Sequence, residues 1–147
     1  MKITLLVVGR LKEKFLIDGV DEYLKRLRKF SNVEVREVSE CRTLDEEAQK
    51  ILSLVPQNSW LCVLDVSGTP LTSEQFAEKI FALALGGTSN LTFAIGGAFG
   101  LGDELKLAAD FRLSLSPMTL THQMTRLVLV EQIYRAFKIN RHEPYHW

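Results

Sequence analysis

Apolar residues fall along this chain in two rhythms that take turns. Ile3 to Val8 is aliphatic without alternation, the pattern of a parallel strand covered on both faces, and Gly9 and Arg10 end it. Leu16, Val20, Tyr23, Leu24, Leu27 and Phe30 then recur at helical spacing, with Lys25, Arg26, Arg28 and Lys29 crowded into the last turns. Val33, Val35 and Val38 alternate with charges and predict a more exposed strand near the sheet edge. Leu44, Ala48, Ile51, Leu52 and Val55 predict a second helix, stopped by Pro56. Trp60 to Val66 reads as another buried strand, ending at Asp65 before a Ser67, Gly68 turn. Thr72 and Gln75 suit a capping box for a helix lined by Phe76, Ala77, Ile80, Phe81 and Ala84 and closed by Gly86 and Gly87.

The stretch from Leu91 to Leu120 is the one the rest is organised around. It predicts a short buried strand (Leu91 to Ile95), a glycine turn (Gly96, Gly97, Gly100, Gly102), a helix from Asp103 to about Ala109 and a strand from Arg112 to Leu115. Glycines directly after a buried strand let backbone approach a ligand closely. Their spacing does not match a dinucleotide fingerprint. Gly102 is followed by Asp103 and Glu104, which would repel the phosphates of a P-loop ligand. A plain strand-to-helix turn with Asp103 as N-cap is the competing reading. Strands alternating with helices predict an α/β fold with a mostly parallel sheet flanked by helices, and ligands in such sheets sit beyond the carboxyl ends of the strands. Three loops qualify: after Leu64, after Ile95, and Ser116 to Leu120.

The final helix, His122 to Phe137, is apolar around almost its whole circumference at Leu127 to Val130, which suggests burial against a second subunit. His122 and Arg126 share one face, and Glu131 and Arg135 the opposite one. The tail Asn140 to Trp147 is rich in aromatic, imidazole and guanidinium groups.

At 147 residues the chain fits one domain. No apolar run is long enough to span a membrane, and Ile3 to Val8 is too short for a signal-peptide core, so the expected compartment is the cytoplasm. Cys41 and Cys62 form no close pair and have no histidine nearby, so reduced thiols and no metal are expected. The net charge is zero, which by itself argues against nucleic acid. Its distribution changes the picture. Residues 1 to 30 carry eight Lys or Arg against four Asp or Glu, residues 31 to 110 five against twelve, and residues 111 to 147 five against two. If the two basic ends meet in space they make one basic surface; otherwise they are solvated helix faces.

Taken together, several short stretches resemble the ribosomal RNA large-subunit methyltransferase H family of the SPOUT, or α/β-knot, methyltransferases. They are Met1 to Gly9, Leu64 with Asp65 before Gly68, Ile95 to Gly97 with Gly100 and Leu101, Leu113 to Leu120, His122, Arg126, Glu131 to Ala136, and Pro144 to His146. Each is weak alone; in order, at family spacing and over the whole chain, they are specific. The resemblance implies one SPOUT domain over residues 1 to 147 with a deep C-terminal trefoil knot, an exception to the usual avoidance of knots. It implies a homodimer that uses S-adenosyl-L-methionine to methylate N3 of a pseudouridine in 23S ribosomal RNA within ribosomes. Leu64, Gly96, Gly97 and the run Leu115, Ser116, Pro117, Met118, Thr119, Leu120 match the family's cofactor site. Ala98 and Phe99, in the glycine turn, and Trp147 depart from the family pattern.

The chemistry needs an in-line nucleophile and help for N3 to lose its proton. The candidates placed at the target base are His146 and Tyr145, with Arg135 as a cation that favours the anion. Arg126, Arg135, His142, Tyr145 and His146 are the candidates for RNA contact, and His122 is either part of this set or a structural residue at a helix start. Two other functions fit parts of the pattern, a non-catalytic ribosome-binding module and a flavodoxin-like nucleotide-binding domain. Neither accounts for Leu113 to Leu120 and the tail together.

Overall fold

The computed structural model describes residues 1–147, and the alternation of rhythms becomes an alternation of elements. In chain order these are β1 (Lys2–Val8), α1 (Lys14–Leu27), β2 (Asn32–Val38), α2 (Leu44–Leu54), β3 (Trp60–Pro70), α3 (Ser73–Leu85), β4 (Asn90–Ile95), α4 (Asp103–Ala108), β5 (Phe111–Ser114) and α5 (His122–Asn140). The five strands form one sheet in the order β2-β1-β4-β3-β5, and every neighbouring pair is parallel. β2 lies at an edge, as its alternating charges predict.

β1 has no solvated face. Ile3, Leu5 and Val7 pack beneath α1, α3 and α5, while Leu6 and Val8 point to the opposite face, covered by α2 and α4. Each such side chain contributes about 1.5–3 kcal/mol by leaving water, so the unalternating run serves two cores at once. Thr43, Thr72 and Thr121 cap α2, α3 and α5 by accepting from backbone N–H groups, and Thr72 and Gln75 complete the capping box.

Two features differ from the pattern-based expectation. β3 runs on to Pro70 instead of stopping at Asp65: its register on β5 slips between Leu64 and Thr69, so residues 65–68 bulge while Thr69 and Pro70 pair again with Leu113 and Ser114. Gly68 belongs to that bulge because a Cβ there would lie 2.6 Å from the Arg112 carbonyl oxygen. The residue capping α4 is Gly102, not Asp103, which is already helical. The apolar circumference of α5 is covered only in part within one chain, where Leu127 and Val128 remain half-buried. Leu129, Val130, Ile133 and Ala136 are buried in the core, Leu127 lies over Gly19 of α1, and Val128 lines a small cavity with Thr72, Ser73 and Phe76 at the start of α3.

Candidate active site

The sheet order makes β4, β3 and β5 consecutive, so the three loops at their carboxyl ends converge. They surround a cleft of about 850 Å³. Of the residues expected to hold a cofactor, Leu64, Gly96, Gly97, Leu115, Ser116, Met118, Thr119 and Leu120 line it, while Pro117 does not. Leu64, Ile95, Leu113 and Leu115 make its apolar part.

Two local arrangements shape the rim. Gly96 needs to be glycine because a Cβ would stand 2.3 Å from the carbonyl oxygen of Gly100, whose own backbone sits at φ +90°. The glycine turn is therefore folded tightly on itself, with the Gly100 N–H donating to the Gly97 carbonyl at 3.1 Å. In the loop after β5, the Ser114 hydroxyl donates to the Ser116 carbonyl at 3.1 Å, and the Met118 N–H donates to the Ser116 hydroxyl at 2.9 Å. The backbone amides of Leu115, Thr119 and Leu120 have no partner within the chain. An apolar slot edged by free main-chain donors and acceptors suits a flat heterocycle such as adenine, which needs paired polar edges and apolar faces.

The opposite wall holds residues that the pattern analysis missed: Lys12, Glu13, Phe15 and Leu16 after β1, and Gln123 and Met124 at the start of α5, next to His122. The Lys12 N–H meets the Gln123 side-chain oxygen at 3.4 Å and ties these two segments together. The loop after β1 obeys the same carboxyl-end rule as the others. What was missing was the pairing of β1 with β4, which brings it beside the glycine turn.

Arg126 does not face solvent. It is 3 % exposed, and its guanidinium donates to the Gly9 carbonyl at 3.0 Å and to Glu37 at 3.4 Å, while its Nε has no partner. Burial lowers its pKa and Glu37 opposes the shift. As an RNA contact this placement is a correction to the expectation: the side chain ties α5 to the ends of β1 and β2.

Arg135, Tyr145 and His146 do come together. Glu131 accepts from the Arg135 Nε at 3.1 Å and Nη2 at 2.6 Å, and from the Tyr145 hydroxyl at 2.9 Å. The Tyr145 and Tyr23 hydroxyls are 3.1 Å apart, and the Arg135 guanidinium lies 4.7 Å from the Tyr145 ring centre. His146 sits between Arg135 and Glu74. Burial, followed by the hydrogen bonds with Tyr23 and Glu131, pushes the Tyr145 phenol well above its ordinary range, so it keeps its proton. His142 is exposed, at φ 55°. None of these four residues lines the cleft of its own chain. Arg135 stands thirteen residues along α5 from His122, about 20 Å at helical rise.

No group of three or more His, Cys, Asp or Glu is arranged to hold a metal ion. Burial pushes the Cys62 thiol up to about 12, so it has no nucleophilic character. No helix is long and apolar enough to cross a membrane.

Comparison with known proteins places this geometry in a family. The model of predicted SPOUT methyltransferases matches residues 1–146. A protein of Halothermothrix orenii named ribosomal RNA large subunit methyltransferase H is 46% identical, over 99% of both chains. The protein of the same name from Clostridioides difficile is 44% identical over the same shares. A relative from Methanococcus maripaludis, named putative ribosomal RNA large subunit methyltransferase H, is 40% identical, again over 99% of each chain. Among solved structures, a probable methylase family protein from Haemophilus influenzae superposes with a TM-score of 0.55 at 12% identity, covering 99% of this chain and 70% of that one, a likeness of fold. With the whole chain matched, and with its strand-end loops converging on one cleft, this protein belongs to the SPOUT methyltransferase family.

Proposed function

We propose that this chain methylates large-subunit ribosomal RNA at N3 of a pseudouridine, in assembled ribosomes in the cytoplasm, with S-adenosyl-L-methionine as donor. The observation that carries the reading is the cleft itself: three strand-end loops close on an apolar slot whose edge, at Leu115, Thr119 and Leu120, keeps main-chain groups unpaired. The RNA substrate is supported by the names of the full-length relatives.

S-adenosyl-L-methionine supplies an electrophilic methyl group on a sulfonium. The chain's part is to hold and align. Leu64, Ile95 and Leu115 would pack the faces of the adenine, and the free amides of Leu115, Thr119 and Leu120 would pair with its edge. The tight Gly96 to Gly100 turn keeps side chains out of the approach. Alignment with an in-line nucleophile then accounts for most of the acceleration, because a well-oriented pair reacts without the entropy cost of a bimolecular encounter.

The proposed catalytic residues Arg135, Tyr145 and His146 stand too far along α5 to act in the cleft of their own chain. The homodimer belongs to this reading for that reason: a second copy would bring its tail to the first copy's cleft. Arg135 would favour the anion of the target base, and Tyr145 would stack or orient it. His142, on the exposed side of the tail, would face the RNA. The knot implied by the family resemblance is also part of the reading. What supports it is the match of the family model over residues 1–146.

The test is transfer of labelled methyl groups from S-adenosyl-L-methionine to ribosomes lacking the modification. Label in the RNA fraction is expected. Label in protein alone, or calorimetry showing no binding of S-adenosyl-L-methionine, would overturn the proposal.

A further inference from the structure

The two basic ends of the sequence meet. The C-terminal turn of α1 lies beside the C-terminal turn of α5, and an aromatic floor joins them. Phe30 and Phe137 are stacked with ring centres 5.7 Å apart, and Tyr134 packs against both Phe30 and Tyr23. Cations lie on this floor. The Arg26 guanidinium is 5.0 Å from the Tyr23 ring centre and 5.7 Å from that of Tyr134, Arg141 is 4.8 Å from Phe30, and Lys138 is 5.9 Å from Phe30. Ring and carboxylate together fix Arg26 and Lys138 in place, beside the unpaired Lys25, Arg28 and Lys29.

Carboxylates do not balance the group. Of Lys25, Arg26, Arg28, Lys29, Lys138 and Arg141, Arg26 pairs with Glu22 at 3.0 Å, and Lys138 and Arg141 share Glu143, while Asp21 stands one turn before Lys25 on the same face of α1. Six cations against three carboxylates leave three positive charges over in a chain whose net charge is zero. Two helix dipoles ending side by side favour some of these cations. They do not account for Arg28 and Lys29, which lie past the last residue of α1 and are exposed. A fixed surplus of cations around stacked aromatic rings is what a phosphate backbone with unpaired bases requires.

We propose that the adjoining ends of α1 and α5 form a docking surface for the RNA backbone, with Lys29 and Arg141 as phosphate contacts and Arg26 and Lys138 as cations fixed over Phe30 and Tyr134. The inference rests on the ribosomal RNA reading and adds to it a surface outside the cleft. RNA bound here is gripped irrespective of sequence, and selection of the target base is left to the cleft.

The test compares the wild-type chain with Lys29→Gln/Arg141→Gln and Lys29→Glu/Arg141→Glu, using purified large ribosomal subunits in a filter-binding assay across a salt series. Losing two phosphate contacts makes the slope of log K against log salt shallower by about 1.4–1.8. Affinity at low salt is expected to fall at least tenfold for the Glu pair and less for the Gln pair. S-adenosyl-L-methionine binding by calorimetry and the melting temperature stay near wild type. An unchanged slope and affinity in both variants overturns the surface, and so does a fall in melting temperature with no change in slope, which would mark the cations as partners of the helix dipoles. Wild-type protein that binds subunits with the expected salt dependence but transfers no methyl group would sink the catalytic reading and leave the surface standing.

Discussion

Arg135 Nη1 lies 3.0 Å from His146 Nδ1, and this contact decides the state of the imidazole. A guanidinium only donates, so Nδ1 must present its lone pair and the ring proton sits on Nε2, where it is given to Glu74 at 2.7 Å. Both ring nitrogens are occupied, so within one chain His146 anchors the tail and is not free to act as a base.

That anchor carries a pH dependence. The bond from His146 holds the Glu74 carboxyl below its ordinary value of 4.5. A carboxyl lowered on folding adds to the anchored state above its unfolded value, and the contribution is lost as pH falls through the lowered folded value. The tail is therefore expected to loosen as pH falls through the lowered carboxyl value of Glu74. Heteronuclear relaxation of the Tyr145 to Trp147 amides should show this, and Glu74→Gln should give a tail more mobile than wild type at neutral pH. A wild-type tail equally mobile at pH 7 and pH 3 would contradict the assignment.

Gly96→Ala tests the glycine turn by a route the sequence does not show. The added methyl meets the Gly100 carbonyl, not a ligand, so the loop must open before anything binds. The expected cost is about 1–3 kcal/mol, a fall in melting temperature of about 3–10 °C, with S-adenosyl-L-methionine affinity reduced at least tenfold. Calorimetry and a melting curve check both parts; a variant that binds as tightly as wild type would remove the turn from the cofactor site.

Most of the architecture was legible in the sequence because each element carries its own period. Ile3 to Val8 could only be a doubly covered strand, and Thr72 with Gln75 announced a helix start. The loops that line the cleft were legible too, because the carboxyl-end rule needs only strand order along the chain. What could not be read were relationships that depend on strand order across the sheet. The β1–β4 pairing that brings Lys12 to Leu16 into the cleft leaves no local trace. Arg126 looked like a surface cation because nothing in its neighbours along the helix reveals that the Gly9 carbonyl will bond it. Leu127 and Val128 have α1 and α3 on either side of them, a neighbourhood with no local trace in the sequence, and each keeps part of its surface exposed.

The distance between tail and cleft gives a prediction about assembly. Wild-type protein is expected to sediment as a dimer at micromolar concentration. Gly96→Ala and Tyr145→Ala chains, each inactive alone, should regain about a quarter of wild-type transfer when unfolded and refolded together in equal amounts, since half the dimers would be mixed and each mixed dimer has one intact cleft facing one intact tail. No recovery on mixing would mean that each chain completes its own site.

Delivery of a methyl group from this cleft to N3 of a pseudouridine is measured by incubating the protein with labelled S-adenosyl-L-methionine and ribosomes lacking the modification, then digesting the RNA and separating its nucleosides. Label is expected in N3-methylpseudouridine; label in any other nucleoside, in protein, or in no product would overturn the proposed reaction.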